Sequence, residues 1–253
     1  MKDGWGDMSM SDGEIAHDGL DDAWRDKLVA IGKGAAGLIP MVGGPLAEIV
    51  GVVVPGQRVD RIVAYLRSLA LRVNDLADEV KTNLASNAEK IDLIEEGGYQ
   101  SARATSRQRI EQIVEAVSRG LSEDDADVIR RKRLLLILGQ LDEDEVNLLN
   151  AYGKSYAGAD RQAFDQVHRP NPPHMQSTTA ELDRDRLYQV GRENLLRLGL
   201  LRKNYGNVKK GQIPDFDASK GDFKHSVEVS YLGRMVLKEI GMQTPFDAQQ
   251  TDR

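Results

Sequence analysis

The chain has 253 residues, 29 % of them charged and 5 % aromatic, with a formal net charge of −6. That length can bury a sizeable core and could hold two modest domains, and the prominence of Leu, Ala, Arg and Glu over aromatics is the composition of helices rather than of a β-sandwich. The acidic balance excludes a whole-molecule electrostatic grip on nucleic acid, and the absence of cysteine excludes disulfides, thiol catalysis and thiolate-bound metals.

The opening run M-K-D-G-W-G-D-M-S-M-S-D-G-E is acidic and glycine-rich without an apolar centre. Residues 1–20 are therefore expected to be a disordered acidic tail, not a secretory signal, in a cytoplasmic protein. Asp21-Asp22 then place acids at the start of a helix, where the helix dipole favours them. The following stretch from Leu28 to Gly56 is apolar and rich in glycine, and Pro40, Pro45 and Gly43-Gly44 break it too often for one straight helix. Gly37, Gly44 and Gly51 recur at seven-residue spacing, which lets another backbone approach closely. The expectation over residues 21–56 is an apolar helical hairpin folded at Val42-Gly43-Gly44-Pro45. Each arm is roughly 18 Å of helix at 1.5 Å per residue, against a bilayer core of about 30 Å, so neither arm spans by itself. Leu38, Ile39, Val42, Ile49 and Val53 are its candidate membrane or partner contacts. Glu48 is the single acid in the run. It is expected to reach solvent or to pair with Arg58 or Arg61, the functional alternative being a charge that hinders insertion until neutralised.

From Gln57 the pattern turns amphipathic. Val59, Ile62, Leu66, Leu69, Val73, Leu76 and Val80 step by three and four, the seam of a long helix, and Leu84, Ile91 and Ile94 extend that packing face. Gly97-Gly98 is expected to end it. A helix from Ala102 to Arg119 should bury Ile110, Ile113, Val114 and Val117, with Gly120 as its stop. Ser122-Glu123-Asp124-Asp125 starts the next, whose cations Arg130–Arg133 are expected to be a solvated turn beside a buried Leu/Ile face. Residues 57–140 thus read as an amphipathic helical bundle.

Residues 141–242 read differently. L-D-E-D-E-V-N-L-L-N-A-Y-G predicts a short capped helix ended by Gly153, and R-P-N-P-P-H at Arg169–His174 forbids helix. A helix from about Ala180 should turn Leu187, Val190, Leu195 and Leu198 inward and stop at Gly199. Leu200–Tyr205 and Ser226–Val229 predict two strands flanking an exposed loop at Lys209–Gly221, and Ser230 caps a last helix ending at Gly241. Leu198, Leu200, Val229, Leu232 and Val236 should share a small core. This is the order of the second half of a winged helix, a short hairpin leaning on adjacent helices, and residues 243–253 should form a disordered tail. The fold class is therefore mainly α: a helical bundle with an apolar Gly/Pro-rich hairpin, then a small winged-helix-like α+β unit.

The charges on the Asp185–Leu198 helix cancel, so the winged helix reads as a structural or protein-binding module ahead of a DNA reader. Nucleic-acid contact, as the lesser alternative, falls to Arg202, Lys203, Lys209 and Lys210. None of the four histidines sits at a metal-binding spacing from another ligand, and Gly32-Lys33-Gly34 lacks the rest of a phosphate loop. Neither a metal nor a cofactor is expected.

Over Leu141–Gly241, D-E-D-E-V-N-L-L-N-A-Y-G followed by L-L-R-L-G-L-L and S-Y-L-G-R-M-V-L resembles the closing part of the abortive-infection alpha proteins of bacteria. Their last helix opens on a T-P-x-G-like turn, where this chain carries Tyr231-Leu232 in place of the usual proline. The resemblance implies a mostly helical protein in antiphage defence with no catalytic residues to transfer. The expected function is a non-enzymatic defence or toxin-like effector whose hairpin meets a membrane when released, cytoplasmic or peripheral to the inner membrane. The alternative is a soluble oligomeric adaptor or transcriptional regulator using the winged helix for protein or DNA contact. Its expected partners are a second copy or another protein, a membrane conditionally, and nucleic acid less so.

Overall fold

A computed structural model describes residues 56–76, 84, 87–123, 125–155, 162–165, 167, 169–218, 221–242 and 244–245. The expected N-terminal tail and apolar hairpin, with Leu38, Ile39, Val42, Glu48, Ile49 and Val53, lie outside these residues, as does nearly all of the C-terminal tail. The described chain is mainly helical with a small C-terminal strand region. Helices α1 (Gly56–Asn74), α2 (Ala88–Arg103), α3 (Arg107–Leu121), α4 (Asp125–Leu138) and α5 (Glu143–Lys154) come first. A 3-10 turn at Gln162–Phe164 leads to α6 (Thr179–Arg197), β1 (Leu201–Asn204), β2 (Phe216–Asp217), β3 (Asp222–Phe223), β4 (Ser226–Val229) and α7 (Tyr231–Glu239).

The seam on α1 packs as its spacing requires: Val59, Ile62, Leu66, Leu69 and Val73 are buried, and Leu76 packs at the edge. Val80 lies outside the described residues. Tyr65 is also fully buried and donates a hydrogen bond to the Ile94 carbonyl at 2.9 Å. Burial holds its phenol well above the usual range.

This tyrosine explains why Gly97-Gly98 does not end a helix. Helix α2 runs through both glycines, because a Cβ on Gly97 would lie 2.3 Å from the Tyr65 hydroxyl and 2.8 Å from Val117 Cγ2. The glycines admit α1 and α3 to the α2 surface, a packing role that outweighs their weak helix preference. Gly120 likewise lies inside α3, 2.5 Å at its notional Cβ from Leu93 Cδ2, and the helix passes it to end at Leu121. Gly153 is inside α5, against Leu237. Of the expected stops only Gly97-Gly98 fails, since α3 and α5 end one residue beyond Gly120 and Gly153, and all three positions also remove a side chain where two helices touch. Helix α3 begins later than Ala102 because Ser106 caps it, accepting from the Arg109 backbone N–H at 3.1 Å.

Helix α4 starts at Asp125, and its cations diverge instead of forming one solvated turn, with Arg131 and Lys132 half-buried. Arg130 pairs with Asp127, Arg131 with Glu123 and Glu239, and Lys132 with Asp92. The buried Arg109 guanidinium donates to the Leu138 and Leu141 carbonyls, closing the C-terminal end of α4.

Strands β1 and β4 pair antiparallel, Leu201 opposite Val229 through Asn204 opposite Ser226. The loop between them is largely exposed, but it contains the small antiparallel β2–β3 pair, with Phe216 opposite Phe223. Leu200, Val229 and Val236 are buried, with Leu198 and Leu232 packed beside them, and this group is continuous with the core of the helices before it.

Candidate interaction site

Helix α6 opens on a capping box. Thr178 Oγ1 accepts from the Glu181 N–H at 3.3 Å, and Glu181 Oε2 accepts from the Thr178 N–H at 2.7 Å. That hydrogen bonding holds the Glu181 carboxyl below the usual glutamate range. Gly199, at φ 72°, ends the helix as expected.

The burial along α6 departs from the expectation. Leu195 is fully buried and Leu198 packs at the core edge, whereas Leu187 is 72 % exposed and Val190 is 65 % exposed. Glu145 of α5 meets the C-terminal half of the helix. Glu145 completes the capping box of its own helix and also accepts from Asn194 Nδ2 at 2.8 Å. A Cβ on Gly191 would sit 3.4 Å from Glu145 Cγ, so the glycine lets α6 come close. Leu187 lies four and seven residues before Gly191 and Asn194, on the same stripe of α6 but one to two turns nearer its N-terminus, and with Val190 beside it stays exposed there. Asp183, Arg186, Glu193 and Arg197, all outside the core, surround them on that outer side of the helix.

The strand cations are largely spoken for. Arg202 Nε donates to Glu228 Oε1 at 2.7 Å across the β1–β4 pair, and Asn204 reaches the other oxygen of Glu228. Lys203 donates to Asp222 at 2.5 Å, which raises the lysine and lowers the aspartate from their usual values. Lys209 and Lys210 are exposed in the loop with no ion pair among the described residues. The four residues weighed for nucleic acid thus divide into two neutralised cations and two in solvent.

His174 accepts from the Gln176 N–H, and His225 lies 3.8 Å from Asp222. No cluster of His, Asp or Glu among the described residues has the arrangement of a metal site. No described helix is long and apolar enough to cross a membrane. In comparisons with known protein families, with curated proteins and with solved structures, nothing matches this chain.

Proposed function

We propose that this protein is a non-enzymatic adaptor that self-associates through the outer face of α6, within a winged-helix-like C-terminal unit. The observation that carries the reading is the exposure of Leu187 and Val190 on a helix whose other side is committed to the fold. The order α6, β1, long loop, β4, α7 supports the winged-helix reading. The pairing of Arg202 with Glu228 and of Lys203 with Asp222 favours protein over nucleic acid as the partner.

Charge chooses a second copy as the occupant and sets its direction. Asp183 lies toward one end of the face and Arg197 toward the other, so a parallel pair would oppose like with like. Antiparallel packing about a two-fold axis near Leu187 and Val190 brings each Asp183 toward the partner's Arg197, and each Arg186 toward the partner's Glu193. One helix pair buries little area, so the association is weak, with a Kd on the order of micromolar.

Sedimentation velocity across a concentration series tests this. The wild type should pass from monomer to dimer, while Leu187→Asp/Val190→Asp remains monomeric with an unchanged melting curve, since both side chains are exposed. A wild type that stays monomeric throughout contradicts the proposal.

A second reading, a defence effector that perturbs a membrane, is supported by the run from Leu28 to Gly56, in which Glu48 is the only acid, and by the resemblance to abortive-infection alpha proteins. Val42→Lys/Ile49→Lys should then abolish liposome flotation and cell toxicity while the protein stays folded. A wild type that never floats with liposomes removes this reading and leaves the adaptor.

A further inference from the structure

The inner side of α6 forms a wall of a cavity of about 350 Å³, closed by Tyr152 of α5, the proline-rich segment from Arg169 to Pro173, and Val227 of β4. Its polar groups converge from three separate parts of the chain. Arg192 enters from α6, Arg169 from the proline-rich segment, and Tyr152 and Tyr188 line the cavity beside them. The same buried ring fixes two of these groups. Phe164 packs edge-on against Tyr152 with centroids 5.1 Å apart, and the Arg169 guanidinium lies 5.8 Å above its face.

Arg192 is incompletely satisfied. Nη1 donates to Gln189 Oε1 at 3.2 Å, but Nε is buried without an acceptor. A buried charged donor with no partner is costly unless something supplies the missing oxygen. No carboxylate among the described residues pairs with Arg192, and Asp185 is bonded on its own side by Gln189 Nε2 at 3.5 Å. Burial holds the Tyr188 phenol above the usual tyrosine range, with Arg169 and Arg192 pulling it the other way, so the two guanidiniums and the phenol pair act in one small volume.

We propose that this cavity binds a small hydroxylated phosphate monoester, its phosphate held between Arg169 and Arg192 and its hydroxyls donating to Asp185. Two forked donors arriving from different elements suit the several acceptor oxygens of a phosphate better than a planar carboxylate, which one arginine can saturate. The tyrosine hydroxyls supply further donors, and the prolines give a wall that loses little freedom when a ligand is bound. The site is independent of α6 self-association, because it uses the opposite side of the helix from Leu187 and Val190.

The test reads the Nε–Hε resonance of Arg192 by NMR, assigned through its loss in Arg192→Lys, during titration with ribose 5-phosphate and separately with ribose. Ribose 5-phosphate should move that resonance saturably and ribose should leave it in place. Arg169→Gln alters an exposed side chain and should fold normally, yet weaken binding by about tenfold, as expected for loss of one charge-assisted contact. The proposal is overturned if the resonance stays still with ribose 5-phosphate, moves equally with ribose, or responds undiminished in Arg169→Gln. If Arg192→Lys does not fold, the resonance is assigned by through-bond experiments on the wild type and the Arg169→Gln comparison decides.

Discussion

Ser230 Oγ donates to the Gly199 carbonyl at 2.6 Å and accepts from the Gly233 N–H at 2.9 Å, so a single hydroxyl joins the end of α6 to the start of α7. The Ser230 N–H adds a bond to the Leu200 carbonyl at 2.9 Å. Gly233 rests against that carbonyl so closely that a Cβ would lie 2.3 Å from its oxygen. The L-G-L and S-Y-L-G runs are thus two halves of one junction. Ser230→Ala should cost about 1 to 2 kcal/mol as a lost cap and tertiary bond. Gly233→Ala should cost more, because backbone cannot step aside as a side chain can. Chemical denaturation of both variants checks the order.

Arg131 on α4 holds Glu239 on α7, with the Nη1 to Oε2 distance 2.5 Å, and Glu239 is 2 % exposed. Arg131→Met should cost about 3 kcal/mol, since it strands a buried carboxylate. Arg131→Met/Glu239→Leu should cost less than that single change, which a double-mutant cycle of unfolding free energies will read.

Gly97→Ala should destabilise by about 1 to 3 kcal/mol through overpacking against Tyr65 and Val117. Adding Tyr65→Phe removes the nearest atom, so the two costs should combine to less than their sum. Strict additivity would mean that the tyrosine does not set the glycine.

Thr105 Oγ1 donates to Glu143 Oε1 at 2.5 Å, and that bond, followed by one from Ser106, holds the Glu143 carboxyl below the usual glutamate range. A carboxyl depressed by folding contributes stability that is complete above its unfolded value and is lost as pH falls through the folded one. Solvent screening keeps the effect small at this exposed site. A carbon-13 titration should find Glu143 protonating at lower pH than an unfolded peptide carrying it, and Thr105→Val should move that titration upward.

The elements whose periodicity or caps are written in consecutive residues were legible: the α1 seam, the β1–β4 ladder, the Ser230 cap and the Gly199 and Gly241 stops. Gly97 misled as a stop, and the packing role of Gly120 and Gly153 was hidden, because a glycine that ends a helix and one that admits a neighbour look alike until the neighbour is known. Tyr65, Leu93 and Leu237 are those neighbours, and none is local in sequence. Helix α6 carries Leu187, Gly191 and Asn194 along one stripe, with Val190 and Leu195 flanking it. Glu145 meets that stripe at Gly191 and Asn194, in the C-terminal half of the helix, while Leu187 and Val190 stay exposed. The Arg169 and Arg192 cavity left no sequence signal, since its parts are gathered by tertiary packing alone.

The α6 pairing is tested most directly by reversing charge across it. In sedimentation equilibrium, Arg186→Glu and Glu193→Arg should each weaken dimerisation by opposing like charges, and the double variant should regain wild-type affinity because the pairs re-form with their signs exchanged. Single reversals that leave the dimer constant unchanged, or a double variant weaker than either single one, would contradict antiparallel self-association through Leu187 and Val190.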